Sequence, residues 1–263
     1  MTKTNFLSIS KEQLLQTFIK FYGANESEYI KSQLEDPKII WYEVVDDPEK
    51  ITDIWPYITT DIPKEEVEGY LKQKNKYIFL QSAYIDDLGL LVLPNSGNIN
   101  HIIHEMNHKL SSHIIREKPY AAINGLSIAV ETVHGGVVTY NNNLNEVINE
   151  LMTLDIISWL NIMGENVSPC YSWQSGAFKL IQPFYEHFKE PLKQLYITGN
   201  MFDFLREVGE QEFQDFTNFI ERKLFIIKIH LRNNKPVTIK EEDVAESQRL
   251  TQAMIDYNLR SRK

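Results

Sequence analysis

Residues 98–114 read NINHIIHEMNHKLSSHI, and the rest of the chain is best understood outward from this stretch. Ile99, Ile102, Ile103, Met106, Leu110 and Ile114 recur at spacings of mostly three and four, the period of a helix that buries one side. Inside that pattern His104-Glu105-Met106-Asn107-His108 is an H-E-x-x-H sequence. Residues four apart on a helix share a face, so both imidazoles can reach one metal ion. Glu105 follows the first of them, where its carboxylate can approach a water at that ion and act as general base. The pentapeptide alone turns up by chance in about one chain in a hundred of this length. Two ordinary histidines on a surface helix are therefore the plain alternative.

A catalytic zinc site needs three protein ligands and an open position. A third His six residues after the second, with a Gly between, is one known solution. Those positions here are Ile114 and Ser111, and His113 is one residue off and reads as a packing or surface residue. Downstream, Asn145-Glu146-Val147-Ile148-Asn149-Glu150 lies in a predicted helix over 144–160, striped by Leu144, Val147, Ile148, Leu151, Leu154 and Ile157. Glu146 and Glu150 sit four apart on another face. Paired acids on so apolar a helix are costly to bury without a partner. Zinc and a zinc-bound His are suitable partners, so we take Glu146 as third ligand and Glu150 as the acceptor that orients an imidazole. Two alternatives stand at this point: Glu150 as the ligand, or a capping box with Asn143 as N-cap and Glu146 at N3.

These two motifs resemble the gluzincin branch of the zincin metallopeptidases, whose best-known members are the thermolysin-like enzymes. Those enzymes carry an Asn-Glu-x-x-x-Asp segment; here Glu150 stands in place of the Asp. The segment is also similar to an Asn-Glu-x-x-x-Glu-x-x-Thr pattern of small bacterial proteins in that superfamily, with Thr153 in the matching place. The likeness covers roughly residues 98–153. It implies one zincin-like catalytic domain over 1–263, with a sheet-containing lobe to about 140 and a mainly helical lobe from about 141. It implies Zn2+ as cofactor, a peptide or protein as substrate, and an edge strand near Leu90–Leu93 that binds the substrate by strand addition. Amide hydrolysis also needs a second donor for the oxyanion. Tyr140, His134 (before Gly135-Gly136) and Tyr171 are the candidates, each with a buried tyrosine or a loop histidine as its plainer reading. His101, three residues before His104, reads as a rim residue.

The remaining pattern agrees with α+β architecture. A helix is predicted over 10–36, interrupted at Gly23, then a strand over Ile39–Val45. Two apolar runs, Tyr77–Ile85 and Leu90–Leu93, flank the turn-like Asp86-Asp87-Leu88-Gly89 and predict a hairpin. Further strands are expected around 126–140, and helices over 172–190 and 201–230. The Phe202, Phe204, Phe213, Phe216, Phe219 and Phe225 series reads as helix core.

Composition bounds the partners. The formal net charge of -9 makes nucleic acid a poor partner. The single cysteine, Cys170, cannot form an internal disulfide and reads as a buried thiol. With no apolar leader and no run of about 18–20 apolar residues, a cytoplasmic protein without membrane contact is expected. Imidazole and carboxylate ligands suit several divalent metals besides zinc. Other readings are a zinc-binding regulatory or interaction protein that hydrolyses nothing, and a metal-free helical adaptor in which both motifs are coincidental.

Overall fold

Gly23, at φ 119, ends the first helix where the sequence predicts an interruption. Helix α1 spans Lys11–Tyr22, a short 3-10 turn covers Ala24–Glu26, and α2 spans Ser27–Leu34. The computed structural model describes residues 11–35, 39–42, 58–59, 63–65, 67, 83–85, 90–94, 99–117, 119–160, 172–233, 235 and 237–262. The chain is α+β. It divides into two compact units, Met1–Leu110 with Thr153–Ser168, and Ser111–Met152 with Pro169–Lys263. These bounds differ from a single division near residue 140, and each unit carries its own sheet.

In the first unit, β1 (Ile39–Tyr42), β2 (Ile58–Thr59), β3 (Ala83–Ile85) and β4 (Leu90–Pro94) form a sheet in the order β2-β1-β4-β3. The expected hairpin is present: β3 and β4 pair antiparallel with Ile85 opposite Leu90. β1 runs parallel to β4, Ile39 opposite Leu91. That parallel pairing corrects one expectation. Leu90–Leu93 is an inner strand, with both edges already used, so it cannot take up a peptide by strand addition. Leu91 and Leu93 are fully buried, as an inner strand demands.

Helix α3 (Ile99–Ser111) follows and carries the H-E-x-x-H sequence. The sequence predicts one buried side, yet every residue from Ile102 to Ser111 is buried. Polar side chains on the remaining faces find internal partners instead of water. Tyr22 donates its hydroxyl to Asn107 Oδ1 at 2.9 Å, and Asn107 Nδ2 donates to Thr153 Oγ1 at 3.2 Å. Tyr29 donates to the Leu110 carbonyl at 2.7 Å, satisfying one of the carbonyls a helix leaves open at its end.

The second unit begins with a four-stranded antiparallel meander, β5 (Ser112–Arg116), β6 (Ala121–Asn124), β7 (Ser127–Glu131) and β8 (Val137–Tyr140). The helical stripe therefore stops before Ile114, which lies on β5 and is exposed. Helix α4 (Asn142–Leu160) comes next, then α5 (Ser172–Thr198), α6 (Met201–Val208), α7 (Glu210–Arg232) and α8 (Glu241–Ser261). The predicted 201–230 helix is two helices, broken at Gly209 (φ 82), where a Cβ would stand 2.9 Å from Tyr257 Cγ. α5 runs past its predicted end at 190 despite Pro191, bending at Phe188 (φ -104, ψ 21). The proline ring crowds the carbonyl four residues back, and the bend relieves it. Phe184 stacks on Phe216 at 4.6 Å, and Phe204 meets Phe213 edge-on at 5.2 Å, forming an aromatic core. Phe202 and Phe225, assigned to that core from their spacing, are exposed. Among the described residues no helix is long and apolar enough to cross a membrane.

Candidate metal centre

The i, i+4 spacing on α3 brings the two imidazoles together as the helix repeat requires. His104 Nε2 and His108 Nε2 are 3.1 Å apart, with ring planes at 73°. Two nitrogens bound tetrahedrally at about 2.0–2.1 Å from one zinc ion lie about 3.3 Å apart. The observed separation is close to that spacing, and it is equally that of a hydrogen bond between the two rings. Glu146, from α4, completes the group: its carboxylate and the two imidazoles each offer a ligand atom within 4.8 Å of the others. The three residues singled out from the sequence therefore form a group that could hold a metal ion.

The local structure of α4 decides between the alternatives for Glu146. Asn141 adopts φ 56, a left-handed conformation asparagine tolerates, and it separates β8 from the helix. The helix then starts at Asn142, so Asn143 is inside the first turn and is not its N-cap. The N–H of Leu144, in the first turn where the helix supplies no acceptor, donates instead to Glu221 Oε1 at 2.7 Å, and Asn143 Nδ2 donates to Glu221 Oε2 at 2.8 Å. A carboxylate from α7 does the capping, which removes the capping-box role from Glu146. Asn145 fixes the rotation of this helix. Its Oδ1 accepts from the Leu126 N–H and from the Tyr196 hydroxyl, each at 2.9 Å. Gly125, at φ 56, makes the close approach possible, since a Cβ there would stand 2.5 Å from Tyr196 Cε2.

The group and its sequence neighbours are largely withdrawn from water. His104, Glu105, His108 and Glu150 are buried, and Glu146 is half-buried. Lys109, the residue after His108, is also buried. Burial pushes the Tyr22 phenol well above its usual range, with nearby Tyr29 adding to it, so Tyr22 stays a hydroxyl donor to Asn107.

The other candidates are placed as follows. His134 is exposed in the turn between β7 and β8, and Tyr140 is exposed at the end of β8. Tyr171 and Cys170 lie outside the described residues. His101 is half-buried on α3. His113 donates from Nε2 to the Tyr196 carbonyl at 2.9 Å and packs beside Gly199, a structural role. Burial lowers its pKa, opposed in part by that hydrogen bond. Sequence reasoning missed Asn107, Asn145, Tyr196 and Glu221. Only Gly125, a glycine beside an apolar strand, left a visible sign of the close approach it permits. No protein-family model matches the chain, and neither a curated protein nor a solved structure matches it significantly.

Proposed function

We propose that this chain is a zinc-dependent peptidase of the gluzincin type. The observation that carries the reading is the convergence of His104, His108 and Glu146 within 4.8 Å, with Glu105 buried one residue past the first ligand. Those three side chains would hold a zinc ion, which when bound would supply Lewis acidity to polarise a carbonyl and acidify water. Glu105 takes the proton of the attacking water on its carboxylate and then delivers it to the departing amine nitrogen. Its burial keeps bulk water from competing for that proton. Glu150, one helical turn beyond Glu146, holds an imidazole in the tautomer that leaves its ligating nitrogen free. Of the described donor candidates, Tyr140 stands on the strand that leads into the Glu146 helix, and its hydroxyl is our choice to steady the oxyanion.

Elemental analysis of the purified chain, of Glu146→Ala and of Glu150→Ala tests the ligand set. One zinc per chain is expected in the wild type, absent from Glu146→Ala and more weakly held in Glu150→Ala. Glu105→Gln should keep its zinc and lose hydrolysis of a fluorogenic peptide library. No zinc in any variant after loading overturns the metal site. Zinc without hydrolysis in the wild type leaves a regulatory zinc-binding protein.

A further inference from the structure

One short turn of backbone ties the end of α3 to the first turns of α4. Ser111, the last residue of α3, stands three residues past His108, and its carbonyl accepts from the Gly125 N–H at 3.0 Å. Its hydroxyl donates to Asn124 Oδ1 at 2.7 Å. The next N–H along the turn between β6 and β7, that of Leu126, donates to Asn145 Oδ1 at 2.9 Å. Asn145 is the residue before Glu146 on α4. Only one peptide unit, about 3.8 Å between Cα atoms, separates the two points of attachment. The strap therefore has little slack.

Tyr196 closes it. Near the end of α5, and fully buried, it donates its hydroxyl to the same Asn145 Oδ1 at 2.9 Å. Its carbonyl accepts from His113 Nε2 at 2.9 Å, on the strand that continues α3. One residue thus holds both α4 and the chain that leaves the His104 helix. Ser111, Gly125, Leu126, Asn145 and Tyr196 all belong to the second unit.

We propose that Tyr196 is a positioning residue for the metal centre: its hydroxyl, through Asn145, sets where Glu146 presents its carboxylate. Successive residues on a helix point about 100° apart, so holding the Asn145 side chain also holds the direction of Glu146. Glu146 is half-buried, and a long side chain with such freedom costs entropy to order when it takes up a metal. A helix fixed beneath it lowers that cost before the metal arrives, as outer partners of metal ligands do. The inference rests on Glu146 as a metal ligand, and holds whether or not the centre hydrolyses anything.

The test is titration of the full chain with cobalt(II), followed by the visible absorption of the bound ion, which reports the number and arrangement of its ligands. Tyr196→Phe should weaken binding by about tenfold or more and alter the spectrum. Asn145→Ala removes the acceptor at the other end of the bond. It should lose at least as much, and adding Tyr196→Phe to it should cost nothing further. Ser247→Ala is the control. It deletes another buried hydroxyl of the second unit, one bonded to the Leu180 carbonyl, and should leave affinity and spectrum as they are. Circular dichroism checks that each variant is folded. No cobalt bound by the wild type overturns the metal centre and this inference with it. Cobalt bound equally by the wild type and Tyr196→Phe overturns this inference alone. So does an equal loss in Ser247→Ala, or a further loss when Tyr196→Phe is added to Asn145→Ala.

Discussion

Asn107→Ala is the perturbation whose cost the structure specifies best. Asn107 joins α1 to α4 through α3: it accepts from Tyr22 at 2.9 Å and donates to Thr153 at 3.2 Å. All three side chains are almost entirely buried. Truncation removes both hydrogen bonds, taking the acceptor from the Tyr22 hydroxyl and the donor from Thr153 Oγ1 in a buried site. Each bond lost at a buried group costs about 1–3 kcal/mol, so the variant should lose about 2–6 kcal/mol of stability. Against a total of about 5–15 kcal/mol, that is a large fraction. Tyr22→Phe removes one bond and should cost about 1–2 kcal/mol alone. The double variant no longer strands the hydroxyl, so it should be less destabilised than the sum by about 1 kcal/mol or more. Urea unfolding followed by tryptophan fluorescence measures this, helped by Trp159, which meets Phe21 edge-on at 5.6 Å next to Tyr22. A loss below about 1 kcal/mol in Asn107→Ala, or strict additivity in the cycle, refutes the account.

The remaining predictions concern the second unit. Gly125→Ala meets a left-handed backbone and the Tyr196 ring at 2.5 Å, and should cost at least about 2 kcal/mol in the same unfolding assay. Glu221→Ala removes the acceptor of the Leu144 N–H and should cost about 1–2 kcal/mol; Glu221→Gln, which keeps a side-chain acceptor, should cost less. Since Glu146 lies two residues past Leu144, a weaker zinc affinity in Glu221→Ala is expected on titration. His113 is held neutral by burial, its folded pKa below the unfolded value of about 6.5. In the window below 6.5 the unfolded chain binds the extra proton, so stability is full above that pH and falls as pH drops through the folded pKa. His113→Gln should flatten this acid slope in unfolding measured between pH 7 and 5, and an unchanged slope refutes it.

The helix that carries His104 and His108 was legible in the sequence because what places both imidazoles on one helix face is local. Four-residue spacing places His104 beside His108, and three- and four-residue apolar spacing marks the helix, whatever else the chain does. The same holds for α4, with its apolar stripe and acidic pair, and for the β3–β4 hairpin with its turn residues. The error at Ile114 has an equally local cause. Its spacing continues the helical stripe, and only the bond from Gly125 N–H to the Ser111 carbonyl, 3.0 Å, closes the helix end and turns the chain into β5. What the tertiary structure alone decided were the meetings of residues far apart in the chain. Glu221 caps a helix 77 residues away, and Tyr196 reaches Asn145 across 51 residues. β4 became an inner strand because β1 pairs with it in parallel, and β8 stands at one end of its sheet among the described residues. Periodicity assigns a side chain to a face of its own element, but the partner of that face is chosen by packing between distant segments, which no local spacing records.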